Sequence, residues 1–219
     1  MKKDILEKGA IVQRDRETFA IAPPIPAGLT TPAQLREIAE VAEKYGAAAL
    51  KLTSAQRIAI IGIEEDDLDA IWEDLSLVPS GVIGPCVRSV KICPGTTYCK
   101  RGQQDSIKVG LELNERYHGT PLPYKFKMGV SGCVNDCSEV CIKDIGLIGT
   151  PKGWKVAVGG AGGSKPHIAE IIATELDDEA AAALVDDIFN WYLKKDEKKR
   201  LWKLIEEMGL EKFKEELLP

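Results

Sequence analysis

The stretch Cys93-Pro94-Gly95-Thr96-Thr97-Tyr98-Cys99, answered further along by Cys133-Val134-Asn135-Asp136-Cys137, organises the rest of this chain. One helix-sized and one strand-sized segment separate the two pairs. Four thiols on two short loops are the ligand pattern of an iron–sulfur cluster, because soft sulfur holds such a core. Other readings compete for the same residues. Structural zinc takes ligands only a few residues apart within a knuckle, and the first pair is wider and led by Pro94-Gly95. Disulfides suit a secreted mini-domain, whereas Met1-Lys2-Lys3-Asp4 opens no apolar export segment and 219 residues suffice for a core without cross-links. Unrelated buried cysteines would not need Gly-rich loops.

Composition bounds the answer further. With 44% hydrophobic residues the chain suits one large domain or two small ones sharing a core. No apolar run is long enough to span a bilayer, so a soluble protein with no membrane partner is expected. A net charge of -5 argues against a nucleic-acid partner, and the basic residues then matter by position. Six cysteines without an export signal point to a reducing, anaerobic cytoplasm.

Outward from the cysteines, Thr18 to Pro23 reads as a strand that Pro23, Pro24 and Pro26 break into an extended turn. Thr31 caps a helix with Pro32 in its first turn, and Gly46 closes it near Tyr45. Strands over Ala47 to Thr53 and Arg57 to Ile61 and a helix over Glu65 to Leu75 complete a ferredoxin-like α+β unit. Val78-Pro79-Ser80-Gly81 is the internal boundary, giving a first domain over 1–80 and a second, α/β domain over 81–219. Asp105 and Ser106 cap a helix running to Tyr117. Tyr124 to Val130 alternates, which puts Lys125 and Lys127 on one face and Phe126 and Met128 on the other. Ile145 to Ile148 and Trp154 to Val158 form a closing hairpin. The remainder reads as helical, with Leu184, Val185, Ile188, Phe189 and Tyr192 in one stripe.

The Cys-x5-Cys and Cys-x3-Cys pairs, Asn135 between the latter, and Asp144-Ile145-Gly146-Leu147-Ile148-Gly149 after them resemble the sirohaem-[4Fe-4S] sulfite and nitrite reductase family. The likeness extends from Pro26-Ala27-Gly28 through Lys51-Leu52-Thr53 and Gly62-Ile63 to the Gly-rich run Val158 to Gly163. In size the chain is similar to the low-molecular-weight, assimilatory-type sulfite reductases of anaerobes. Larger members resemble two fused copies of such a unit, and this chain looks like one. The resemblance therefore implies a homodimer, in which the substrate cations of one chain face the sirohaem held by its partner.

The resemblance also implies roles. Cys93, Cys99, Cys133 and Cys137 would hold the [4Fe-4S] cluster, with Cys137 shared with the sirohaem iron. Lys51, Arg57, Lys100 and Arg101, Asn135, and the backbone of Gly159, Gly160, Gly162 and Gly163 would face the polycarboxylate macrocycle. Arg88, Lys125 and Lys127 would bind the substrate and help deliver protons to it, so the resemblance implies reduction of sulfite to sulfide, with nitrite reduction or a non-catalytic iron–sulfur electron-transfer or redox-sensing role as the alternatives. On pattern alone the two lysines read better as guards of an edge strand. Where the family carries an arginine before the Pro-x-Gly turn, this chain reads Ile21-Ala22-Pro23-Pro24-Ile25-Pro26, leaving Arg14 and Arg16 upstream as substitutes. Cys86 and Cys141 are expected to be buried and inert, and His118 and His167 structural. No nucleotide fingerprint accompanies the glycines, so electrons are expected from an external low-potential donor such as a ferredoxin.

Overall fold

A computed structural model describes residues 2–77, 79 and 83–217. It divides into two compact units, Met1–Gly84 and Pro85–Pro219. Of the expected boundary tetrad, only Pro79 lies within the described residues.

The first unit is a four-stranded antiparallel sheet in the order β1-β2-β4-β3, with β1 at Ile11–Val12, β2 at Phe19–Ile21, β3 at Ala49–Leu52 and β4 at Ile58–Ile63. Helix α1, Pro32–Lys44, carries the chain from β2 to β3, which run parallel on either side of β4. That is the ferredoxin-like arrangement the element order implied. β1, absent from the sequence reading, takes the edge beside β2 and is too short to show any alternation.

Local chemistry explains the helix ends. Thr31 accepts from the Gln34 N–H at 3.2 Å while the Gln34 side chain accepts from the Thr31 N–H at 3.0 Å, a reciprocal capping box. A single turn at Glu65–Asp67 precedes α2, Leu68–Asp74. Both helices lay apolar residues on the sheet, and Phe19, Ile21, Val41, Ile60, Ile63, Leu68, Ile71 and Trp72 are buried in one cluster. Gly62 is the extra residue where β2 slips its register against β4. Its φ is +85°, and a Cβ there would stand 2.7 Å from that of Ala48, so only glycine fits the bulge.

The second unit is built on a five-stranded sheet in the order β5-β6-β7-β8-β9. β5 (Val87–Ile92), β6 (Phe126–Ser131) and β7 (Ile145–Thr150) are parallel, while β8 (Gly153–Val158) and β9 (Glu170–Leu176) are antiparallel to their neighbours. A four-residue helix, α3 (Gly95–Tyr98), lies inside the first cysteine loop, and α4 spans Ser106–Tyr117 under an Asp105 cap that accepts from the Lys108 N–H at 3.1 Å. The expected hairpin of β7 and β8 is present in full register.

The remainder is not all helical, and this corrects the sequence reading. β9 forms the sheet edge before α5 (Asp178–Lys195), α6 (Leu201–Met208) and α7 (Leu210–Leu217). As a largely exposed edge strand it lacks an apolar face to reveal it, although Ile171, Ile172 and Thr174 carry β-branched propensity. The α5 stripe is as expected, with Leu184, Val185, Ile188, Phe189 and Tyr192 all buried. Among the described residues, no helix is long and apolar enough to cross a membrane.

Candidate functional site

The two faces of the second sheet are dressed differently. Phe126, Met128 and Val130 point toward the helices: Phe126 meets Tyr192 and Phe189 of α5 at ring distances of 5.1 and 6.1 Å. Beside Val130, Ile92 of β5 packs against Gly110 of α4. On the opposite face Ser89 is paired with Lys127, Lys91 with Gly129, and Gly129 with Gly146. A Cβ on Gly129 would stand 3.0 Å from the Lys143 side chain and 3.2 Å from the Ser138 carbonyl, and one on Gly146 would collide with Val140. The glycines thus leave a floor on which the segment after the second cysteine pair lies.

That segment is wound tightly by one carboxylate. Asp136, at φ +49°, accepts from the Ser131 hydroxyl at 2.9 Å and from the N–H groups of Val140 and Cys141 at 2.8 and 3.0 Å. Glu139 ties it to the strands by pairing with Lys91 at 2.8 Å and Lys143 at 3.1 Å. Those two hydrogen bonds hold the Glu139 carboxyl below its ordinary pKa.

The loops of the two cysteine pairs cross at Gly132. Its N–H donates to Cys93 Sγ at 3.0 Å, and its carbonyl accepts from Gln103 and Gln104 at 2.8 and 3.0 Å. The Ser106 hydroxyl lies 3.3 Å from the same sulfur. A Cβ on Gly132 would stand 2.8 Å from Gly95 Cα, so the backbones approach as closely as glycine permits. The amide N–H that faces the sulfur is a donor of the kind that suits a cluster ligand, while the Ser106 hydroxyl also donates to the Cys93 carbonyl at 2.8 Å. Cys133 is buried, Cys93 and Cys99 half-buried, and Cys137 exposed, and all six cysteines are free. Among the described residues, no three His, Cys, Asp or Glu side chains stand together as a preformed metal site.

Arg88 and Lys125 each lie close enough to Lys127 for their charge to act on its ammonium, and β5 slips register against β6 between Val87 and Ser89. Burial lowers the Lys127 ammonium pKa, and the positive charges of Lys143, Arg200, Lys125 and Arg88 lower it further. Lys143 and Arg200 are already paired with Glu139 and Asp144, so the cations around Lys127 are partly neutralised, and the positive charge that remains would favour a small anion. Lys143 and Arg200 escaped the sequence reading, since neither lies in a recognisable motif.

Other expected residues are more dispersed. Lys100 and Arg101 are exposed directly after Cys99, and Asn135 is exposed between its cysteines. In the first unit, Lys51 is exposed on β3, while Arg57 is buried at the start of β4. Arg14 and Arg16 lie at the exposed tip of the hairpin of β1 and β2, and Ile21 and Ala22 are buried where the absent arginine would have been. The glycine run splits in two. Gly159 and Gly160 are buried against Trp202 and the Lys143 backbone respectively, whereas Gly162 and Gly163 are exposed. Cys86 is buried as expected, but Cys141 is exposed. Partial burial and the Asp136 carboxylate nevertheless raise its thiol pKa and blunt its reactivity. His167 stacks on Trp202 at 4.1 Å, and His118 caps the end of α4.

Residues 83–219 match the nitrite and sulphite reductase 4Fe-4S domain, and residues 11–78 the nitrite/sulfite reductase ferredoxin-like half domain. The assimilatory-type sulfite reductase of Nitratidesulfovibrio vulgaris is 39% identical over 212 residues, covering 96% of this chain and 97% of that protein. The large subunit of the NADH nitrite reductase of Escherichia coli is 36% identical over 86% of this chain but only 22% of its own length. Among solved structures, the NirA protein of Mycobacterium tuberculosis superposes with a TM-score of 0.83 at 21% identity, over 97% of this chain and 45% of that one.

Proposed function

The chain belongs to the nitrite and sulphite reductase family, and from that premise we propose that it reduces sulfite to sulfide. What supports this reading is that the charges of Arg88 and Lys125 act on the Lys127 ammonium within the same unit as the four motif cysteines. The family matches imply a [4Fe-4S] cluster and sirohaem, which when bound would relay the six electrons of this chemistry from an external donor to the substrate.

Cys93, Cys99, Cys133 and Cys137 are the proposed cluster ligands, and the exposure of Cys137 leaves its sulfur accessible to a second centre. Within the second unit, Lys100, Arg101, Asn135 and the exposed Gly162 and Gly163 are the proposed contacts of the macrocycle. Packing already accounts for Gly159 and Gly160. Arg88 and Lys125 neutralise the dianion, while Lys127, its pKa lowered, surrenders a proton from Nζ more readily than a free lysine as oxygen leaves as water. A single copy of each family domain supports assembly as a homodimer, fed by an external low-potential donor such as a ferredoxin in an anaerobic cytoplasm.

Nitrite reduction is the second reading, favoured by the 36% identity to the nitrite reductase subunit. Protein purified without oxygen should show macrocycle absorption bands and four irons per cluster. Cys137→Ser should uncouple the two centres, and competitive turnover should favour sulfite. A spectrum with cluster absorbance alone, or faster turnover of nitrite, overturns the sulfite reading.

A further inference from the structure

Asp144 stands directly before β7 and has no solvent exposure, the deepest burial of any carboxylate among the described residues. It grips Lys127 twice through the backbone: its Oδ2 accepts from the Lys127 N–H at 2.8 Å, and its own N–H donates to the Lys127 carbonyl at 2.9 Å. Arg200, 56 residues away in sequence, closes on it as a fork, Nε to Oδ1 and Nη2 to Oδ2, both at 2.7 Å. Arg200 is itself held, because the Tyr192 hydroxyl donates to the Lys199 carbonyl at 2.7 Å and Arg200 Nη2 reaches the Gly160 carbonyl at 3.4 Å. A buried carboxylate satisfied by a bidentate guanidinium and a backbone N–H has one geometry open to it.

We infer that Asp144 and Arg200 are a buried positioning pair that fixes where the Lys127 ammonium stands in the anion site, an inference that rests on the function proposed above. Neither residue need touch the substrate. Their reach is through the Lys127 backbone, and through the Arg200 charge that stands behind its ammonium. The C-terminal helices thereby share in aiming a group on a central strand.

The test is a double-mutant cycle on the cofactor-loaded protein. Asp144→Leu made together with Arg200→Met exchanges buried charges for apolar groups of similar size, a replacement that proteins commonly tolerate. Lys127→Gln is then introduced in both backgrounds, and KM and kcat for sulfite are measured separately. The pair replacement should raise KM about tenfold, and Lys127→Gln should add little to it. Arg200→Lys, which keeps the charge on one contact, should give an intermediate KM. If Lys127→Gln costs the same factor in both backgrounds, the pair does not act through Lys127 and the proposal fails. Reductive methylation read by mass spectrometry asks the same question without turnover. Lys127 labelling should change about threefold, with the exposed Lys152 as the unchanged reference. Unchanged labelling of Lys127 overturns the positioning role even in a protein that reduces sulfite. Changed labelling in a protein that does not reduce sulfite removes the proposed function and supports the pair.

Discussion

On β6, Phe126 and Lys127 are neighbours in the chain and opposites in use. Phe126 is wholly buried against the rings of α5, in a face whose residues interlock by shape. Lys127 stands on the other face, its ammonium partly desolvated among the charges of Lys143, Arg200, Lys125 and Arg88. One strand serves both purposes because successive side chains point to opposite sides of a sheet. The lesson is a division of labour: the helix-covered face holds the strands in register, and that register aims the charged face.

The comparison breaks most visibly if the apolar face is damaged. Phe126→Ala should cost about 3–5 kcal/mol of stability, measured by denaturant unfolding, since it leaves a cavity beneath α5. At temperatures where the variant remains folded, its KM for sulfite should stay near that of the parent protein; a large rise would mean that the two faces are not separable.

A smaller effect sharpens the charged face. The Lys127 ammonium pKa is depressed in the folded protein, so between that pKa and the ordinary lysine value the unfolded chain binds more protons. Stability contributed by this group therefore rises with pH across that window, while affinity for sulfite falls as the positive charge is lost. Lys127→Arg should flatten the fall in affinity, because a guanidinium stays charged. The measurement is the sulfite KM from neutral to alkaline pH. Identical profiles for the two proteins would remove Lys127 from the anion site.

The smallest effect belongs to Cys141. Cys141→Ser should leave iron content and activity unchanged, since the thiol is exposed, stays protonated and lies outside the four-cysteine pattern. Iron quantitation decides it, and a loss of iron would add a ligand to the proposed set.

Much of this organisation was legible in the residues. Thr31 and Asp105 announce their helices because a capping side chain acts over three residues. The α5 stripe and the alternation of β6 are likewise periodic and local. β9 was missed because a sheet edge buries too little to leave a pattern. Cys141 was expected to be buried on the average behaviour of cysteine, and the Asp136 turn placed it at the surface instead.

The sequence by itself determined the four-cysteine pattern, the family it belongs to, and the elements that carry it, since each of these is written in spacings shorter than a helix. Tertiary structure alone decided that Arg200 would close on Asp144, that Lys143 would share Glu139 with Lys91, and that Gly132 would offer its amide to Cys93. These partners are distant in the chain or unmarked by any motif. A charge or a glycine has no signature of its own until the packing of other segments says what stands beside it.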